Sequence, residues 1–182
     1  MKTVFIGRFQ PFHRGHHQVV EKYSEEHELQ IAIGSSEEEE TEKNPLSFKE
    51  RKKLIRACHS DIEITGIADE DESEDGNQKW IQKVKEKTGA EAVISQNPLV
   101  KDIVARDTEL KLIKQDLYQE EIYSGTEVRR RVRSGEEWRY LLPDCCEKQF
   151  EKLKDKIKES GIQYNFEPGW KKENSFHDTL DK

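Results

Sequence analysis

Two histidines and their neighbours carry the most legible chemistry in this chain: Gly7-Arg8-Phe9-Gln10-Pro11-Phe12-His13-Arg14-Gly15-His16, behind the apolar run Thr3 to Ile6 and ahead of an amphipathic helical pattern. Imidazoles three residues apart lie on one face of a first helical turn. Backbone N–H groups without intrahelical partners, together with the helix dipole, favour a phosphate there. Gly15, between the histidines, removes a side chain that would block close approach of a ligand. With Arg8 as a cation and two ring donors at one strand end, the arrangement suits a grip on a triphosphate. The competing readings are an ordinary surface or capping histidine, or a metal pair. Zinc-binding histidine pairs on helices sit at i, i+4 with a further ligand, and no HExxH motif or cysteine partner accompanies these two, so no metal ligand is assigned.

A second constellation is Tyr123-Ser124-Gly125-Thr126-Glu127-Val128-Arg129-Arg130-Arg131-Val132-Arg133. Ser124 and Glu127 have capping-box spacing, which predicts a helix from about Gly125. Four arginines in two turns repel one another unless an anion offsets them. A nucleotide polyphosphate would supply that anion, with the Ser124 and Thr126 hydroxyls, helix N–H groups and Arg129 on the β and γ phosphates. Arg131 and Arg133 read as solvent-facing. Other signals each admit two readings. Asn97-Pro98, after the fourth strand pattern, is either a base or ribose contact or a helix cap. Gly34-Ser35 ends the second strand pattern at the same edge. Trp80, near Ile81 and Val84, either packs in the core or stacks on a flat heterocycle, most strongly a cationic one. Arg51 is a helix-surface charge or a phosphate contact.

The elements that must position these residues alternate along the chain. Strand-like runs occur at Thr3-Ile6, Leu29-Ile33, Ile62-Ile67, Ala92-Ser95 and roughly Glu109-Ile113. Helical patterns run from His16 to Glu26, Ser47 to His59 and Asn77 to Thr88. This alternation predicts an α/β fold, a doubly wound parallel sheet with right-handed crossovers, helices on both faces and the ligand site at the carboxyl ends of the strands. The acidic runs Glu37-Glu40 and Asp69-Asp75 read as solvated loops at that edge, placed to close over a substrate. Residues 1–143 form the expected domain and residues 144–182 a C-terminal helical appendage, with a helix from Asp144 to about Glu159 and Gly161 as its C′ residue. The tail from Gln163 reads as partly disordered, with Tyr164, Phe166, Trp170 and Phe176 available to dock.

With 182 residues, 32% hydrophobic and 38% charged, the chain suits one domain with a compact core and a densely charged surface. A net charge of -7 argues against broad binding to nucleic acid or anionic membrane. Cys58, Cys145 and Cys146 lack the two-residue spacer of common zinc and redox motifs and read as reduced cytosolic thiols. The apolar start is too short for a signal peptide or membrane span, so a soluble cytoplasmic protein is expected.

The blocks GRFQPFHRGH, SQNPLV at Ser95 to Val100, YSGTEVRRR at Tyr123 to Arg131 and WRYLLP at Trp138 to Pro143 resemble, in order, those of the HxGH nucleotidyltransferases. Within these, the chain resembles the archaeal-type nicotinamide-nucleotide adenylyltransferases over residues 1 to 143. The resemblance implies a Rossmann-like fold and transfer of AMP from ATP to nicotinamide mononucleotide, giving NAD and pyrophosphate, with Mg2+ on the phosphates. It implies His13, His16 and Arg129 as catalytic residues, and Gly7, Arg8, Phe9, Gly15, Asn97, Tyr123, Ser124, Thr126 and Arg129 around ATP. It further implies Gly34, Ser35, Asp69, Asn77 and Trp80 around the mononucleotide, with Trp80 on the nicotinamide ring, and a homo-oligomer, often a hexamer. The segment Ser73 to Gly76 is longer and more acidic than the family pattern, and Lys43 stands near where an arginine is often found. The alternatives are a related enzyme with another phosphate-bearing acceptor, such as phosphopantetheine or flavin mononucleotide, and a non-catalytic nucleotide sensor.

Overall fold

The computed structural model describes residues 1–114 and 121–162. Along the chain, β1 (Lys2–Gly7), α1 (Arg14–Glu26), β2 (Glu28–Ile33), α2 (Phe48–Cys58) and β3 (Glu63–Gly66) are followed by α3 (Glu74–Thr88), β4 (Ala92–Ser95), α4 (Pro98–Arg106), β5 (Lys111–Leu112) and α5 (Gly125–Ser134). Every strand pairing is parallel, in the order β3-β2-β1-β4-β5. The chain winds from β1 outward to β3 and then crosses to β4, so the strand order reverses between β1 and β4. In such sheets the ligand crevice lies outside the strand ends at that reversal. The fold is α/β and Rossmann-like, as the alternation predicts.

Period-two alternation sends each strand's side chains to two separate cores. Phe5, Ile31, Ile33, Ile64 and Ile94 pack with Val19, Val20 and Tyr23 of α1, Leu54 and Ile55 of α2, and Val128 and Val132 of α5. On the opposite face Val4, Ile6, Ala32 and Val93 meet Ile81 and Val84 of α3 and Val100, Ile103 and Val104 of α4. α4 has no counterpart in the helical patterns read from the sequence. Its signal was present in the Asn97 cap, Pro98 at the first position and the i, i+3, i+4 spacing of Val100, Ile103 and Val104. The start of α3 is also earlier than expected: Ser73 caps it, and Glu74 and Asp75 of the acidic run form its first turn, where the helix dipole favours negative charge.

Beyond α5 the expected single helix is two, α6 (Glu147–Glu151) and α7 (Lys154–Ile162), after a 3-10 turn at Asp144–Cys146. The Leu153 N–H bonds to Phe150 O at 2.8 Å, an i to i−3 closure that tightens the chain between them. Gly161 is not a C′ residue but lies inside α7, where a Cβ would come within 2.5 Å of Arg133 Nε. Arg133 is correspondingly not solvent-facing. It donates from Nε to Ile157 O at 3.2 Å and from Nη2 to Glu42 O at 2.7 Å. Phe150 and Ile157 join the core beneath α1 and α2. The aromatic tail residues Tyr164, Phe166, Trp170 and Phe176 lie outside the described residues.

The reading of three reduced thiols is corrected by the fold. Cys58 at the end of α2 is disulfide-bonded to Cys145, their Cα atoms 5.2 Å apart, and only Cys146 is unbonded and buried. The 3-10 turn after Pro143 sends the adjacent cysteines in different directions, Cys146 into the core and Cys145 toward α2. Among the described residues no helix is long and apolar enough to cross a membrane.

Candidate active site

The carboxyl ends of the strands open on a cleft of about 780 Å³. Its floor is the turn after β1, where the backbone takes an uncommon course. Phe9 has φ 52 and Gln10-Pro11 is cis, and after β2 Ser35 has φ 46. A left-handed phenylalanine persists only where its surroundings hold it. Here the Phe9 ring packs edge-on to Phe5 and against Phe12 and His16.

His13 is the N-cap of α1 and forms a reciprocal capping box with His16. His13 Nδ1 accepts from the Gly15 N–H at 3.1 Å and the His16 N–H at 3.4 Å, while His16 Nδ1 accepts from the His13 N–H at 3.2 Å. Both rings thus use Nδ1 as an acceptor, which puts the proton of each neutral imidazole on Nε2. The rings stack with centroids 3.6 Å apart. Burial pushes the His13 pKa down to about 3 and, with His13 beside it, holds His16 well below its ordinary value. The pair therefore offers neutral N–H donors, not positive charge. The Gly15 and His16 backbone N–H groups, expected to meet a phosphate, are engaged by His13 instead, and Gly15 is buried outside the residues that line the cleft.

Protonation of the unfolded chain makes this arrangement acid-sensitive. An unfolded imidazole titrates near 6.5, whereas folded His13 stays neutral to about 3. Between those values the unfolded state binds the extra proton, so the His13 contribution is complete above pH 6.5 and is lost as the pH falls. Moving from pH 7 to pH 5 should cost about 2 kcal/mol through this residue, at 1.36 kcal/mol per pH unit. Urea unfolding at the two pH values, compared with His13→Gln, checks this; equal pH dependence in both proteins refutes it.

Cations stand beside the histidines. Arg8 is exposed and lines the cleft, and Arg129 reaches it from α5. Arg129 is 8% exposed and donates from Nη1 to Gln10 O at 2.6 Å and from Nη2 to Thr126 Oγ1 at 3.4 Å. Its Nε is buried with no hydrogen-bond partner among the described residues. Burial lowers its pKa to about 10, which leaves it charged at neutral pH. Gly125 permits this approach, since a Cβ there would lie 2.9 Å from Gln10 O. Ser124 caps α5 by accepting from the Glu127 N–H at 3.1 Å. Glu127 does not return that bond. It takes Arg130 at 2.8 Å and Arg131 at 2.7 Å, and Glu136 takes a further bond from Arg130. The inference that four arginines require an external anion is corrected accordingly: in-chain acceptors serve Arg130, Arg131 and Arg133.

The remaining sequence-singled residues meet at the same cleft. Gly7, Gly34, Ser35, Asp69, Asn77, Trp80, Asn97, Tyr123, Ser124 and Thr126 all line it. Asn97 serves as the α4 cap, its Oδ1 accepting from Leu99 and Val100 N–H groups at 2.9 and 3.4 Å. Trp80 is half-buried, packed on the second core and open to the cleft. Around it the loop after β3 places Asp69, Glu70, Asp71 and Glu72 on the rim, and Glu38 joins them from the loop after β2. The two acidic loops touch, the Asp69 N–H donating to Glu37 Oε1 at 3.0 Å. One cleft thus carries donors and cations behind β1 and carboxylates with an aromatic face toward β3.

Two residues that hold these loops in place were missed or misread. Arg51 is neither a surface charge nor a phosphate contact. It is fully buried, donating to the carbonyls of Ser47, Arg8, Gly34, Ser35 and Glu38 at 3.2, 3.0, 2.9, 3.0 and 3.4 Å. Its position on the same helical face as Leu54, Ile55 and Cys58 was the available signal. Gln10 clamps Leu46, Nε2 donating to its carbonyl at 2.8 Å and Oε1 accepting its N–H at 2.9 Å. A glutamine between two buried phenylalanines hinted at such a partner without identifying it.

The Cytidylyltransferase-like family model matches residues 4–131. The chain is 35% identical over 145 residues to the nicotinamide-nucleotide adenylyltransferase of Methanosarcina acetivorans, covering 79% of this chain and 83% of that protein. It is 33% identical over 156 residues to the protein of the same name from Methanothrix thermoacetophila, with 82% and 89% covered. Among solved structures it is similar to a bifunctional NMN adenylyltransferase/ADP ribose pyrophosphatase from Francisella tularensis complexed with AMP and a Mn ion. That likeness has a TM-score of 0.68 at 22% identity and covers 90% of this chain but 52% of that one. The chain spans about half the length of that structure, and at this identity the likeness concerns the fold.

Proposed function

Because the chain belongs to the Cytidylyltransferase-like family and to the nicotinamide-nucleotide adenylyltransferases, we propose that it transfers AMP from ATP to nicotinamide mononucleotide, forming NAD and releasing pyrophosphate. The observation that carries this reading is the stacked, neutral His13–His16 pair beside buried Arg129, at the strand-order reversal of a parallel sheet. Adenylyl transfer is an in-line displacement in which the acceptor's phosphate oxygen attacks the α phosphorus and the bond to the β phosphate breaks. The attacking phosphate is already a nucleophile. The protein's task is to align two anions and stabilise charge developing on the α phosphate and the leaving pyrophosphate. In this proposal His13 and His16 donate Nε2–H groups to phosphate oxygens, and Arg8 and Arg129 supply full charge. The Ser124 and Thr126 hydroxyls, with the backbone near Gly7, Phe9 and Tyr123, complete the ATP site. Asn97 stands beside the base or ribose, its cap shaping the loop there.

At the other rim Gly34, Ser35, Asp69, Asn77 and Trp80 take the mononucleotide, the indole stacking on its ring. A cationic pyridinium suits an aromatic face among carboxylates. Mg2+ fits a site of this composition. The β1–α1 turn and the start of α5 present imidazoles, arginines and hydroxyls rather than a carboxylate cage, so the phosphates themselves and the Ser124 and Thr126 hydroxyls would hold the ion. When bound it supplies charge neutralisation on the triphosphate. The divalent ion of the Francisella protein accords with this. Residues 1–143 would form the transferase domain and 144–182 an appendage, in a cytoplasmic homo-oligomer that does not engage nucleic acid.

The test is pyrophosphate release from ATP and Mg2+ with nicotinamide mononucleotide, nicotinic acid mononucleotide, phosphopantetheine and flavin mononucleotide in parallel. NAD formation from the first is expected, and release with only phosphopantetheine or flavin mononucleotide, or with none, overturns the assignment. The acidic rim sets a further expectation. The nicotinate carboxylate is a like charge beside Glu38, Asp69 and their neighbours, so the acid mononucleotide should show kcat/KM lower by about tenfold, the equivalent of 1.4 kcal/mol of discrimination. Equal values for the two would remove the rim from substrate choice.

A further inference from the structure

Outside the residues that line the cleft, three elements bring together a group of soft donors that the transfer reaction does not use. His17 of α1, Cys58 at the end of α2 and Cys145 of the 3-10 turn have donor atoms all within 4.8 Å of one another. None of the three lines the cleft. His17 already has a carboxylate partner of the kind that accompanies metal-bound imidazoles. Its Nε2 is 3.2 Å from Glu21 Oε1, one helical turn away, and its Nδ1 is 2.9 Å from His59 Nε2. A carboxylate on one ring nitrogen holds the proton there and leaves the lone pair on the other, the usual outer-shell arrangement of a metal-bound histidine. Because the ligands come from separated segments, no C-x-x-C or His-x-x-x-His spacing announces them.

We propose that, when the Cys58–Cys145 bond is reduced, Nδ1 of His17 and the two thiolates bind one Zn2+ or a similar soft divalent cation. A dithiol or phosphine reductant delivers two electrons to the S–S bond and is itself oxidised. The two cysteine sulfurs are released as thiols, and each passes its proton to solvent as the metal binds. The His59 hydrogen bond to His17 Nδ1 is exchanged for the metal bond. Cys145 is exposed, so water can take the fourth position. Tetrahedral Zn–S and Zn–N bonds of about 2.3 and 2.0 Å place donor atoms roughly 3.5–3.8 Å apart, within reach by side-chain rotation from the present spacing. Disulfide and metal are then two ways of closing one joint among α1, α2 and the C-terminal segment, the first in oxidising and the second in reducing surroundings.

Cobalt titration of the full chain tests this. The protein is reduced with a phosphine, stripped with a chelator, freed of both and titrated anaerobically with Co2+, then with Zn2+. The expected result is one equivalent bound, with thiolate-to-cobalt charge-transfer absorption that Zn2+ abolishes. Oxidised protein should bind none. Cys145→Ser, at an exposed position, should weaken binding by at least about a hundredfold and His17→Gln by about tenfold or more, with circular dichroism confirming the fold. Absence of the charge-transfer band in reduced protein overturns the proposal, as does cobalt affinity unchanged by Cys145→Ser or His17→Gln. None of these readouts depends on adenylyl transfer, so the two assignments stand or fall separately.

Discussion

His16→Ala should lower kcat by about 10² to 10³, the loss associated with removing one preorganised donor from a site that stabilises developing negative charge. The donor is preorganised on three sides: His16 Nδ1 accepts the His13 N–H, its ring stacks on His13, and Phe9 and Phe12 pack against it. Alanine removes the Nε2 donor together with the returning half of the capping box. The cap itself is worth about 1 kcal/mol of stability, too little to unfold a domain of this size. Pyrophosphate release at saturating ATP and nicotinamide mononucleotide gives kcat, and ATP affinity measured separately isolates the ground-state share. A decrease in kcat of under about threefold would remove His16 from the reaction. Burial and the neighbouring His13 hold the imidazole neutral near pH 7 in the free protein, so its donor role should add no inflection to the kcat/KM–pH profile between about pH 7 and 8.

Arg51→Met should destabilise the fold by about 3 to 5 kcal/mol, because several buried backbone carbonyls lose their donor at about 1 to 3 kcal/mol each. Methionine preserves much of the volume on the α2 face shared with Leu54 and Ile55, but it leaves the carbonyls of Arg8, Gly34, Ser35 and Glu38 without their donor. Lysine is no substitute, because one ammonium cannot reproduce the guanidinium fork that serves two loops at once. Burial lowers the Arg51 pKa to about 10, so the residue is charged at every pH of practical interest. Thermal unfolding should fall by about 10 °C or more at this chain length. Activity should fall with it, because those carbonyls belong to the loops carrying Arg8, Gly34 and Ser35. A loss of under about 1 kcal/mol would mean that the loops find other donors.

Local periodicity made most of the fold legible. Strands at Thr3-Ile6, Leu29-Ile33 and Ala92-Ser95 fall within a residue or so of β1, β2 and β4, the helical pattern from Ser47 matches α2, and Ser124 caps the helix its spacing indicated. The His13–His16 pair was equally legible, because its geometry is set within a single turn. What spacing could not show is partners distant in sequence. Arg51 looked like any charge on a helix until four loop carbonyls surrounded it. Arg130 and Arg131 looked like unbalanced charge until Glu127 and Glu136 were seen to take them. Cys58 and Cys145, 87 residues apart, gave no local sign of meeting. Asn97 met its reading as a helix cap, on α4, and also lines the cleft. The second half of the acidic run at Asp69-Asp75 was misplaced because a carboxylate suits a solvated loop and a helix N-terminus equally well.

Arg129 is joined to Gln10 O across 119 residues, which sets an order of events during synthesis. Domains form as the chain emerges, amino-terminal parts first. The histidine turn, β1 and β2 leave the ribosome early, but the guanidinium that joins them at the cleft follows only after β4 and β5. A nascent chain can therefore assemble most of its sheet while lacking this guanidinium, and on the proposed function nucleotide binding becomes a late marker of folding.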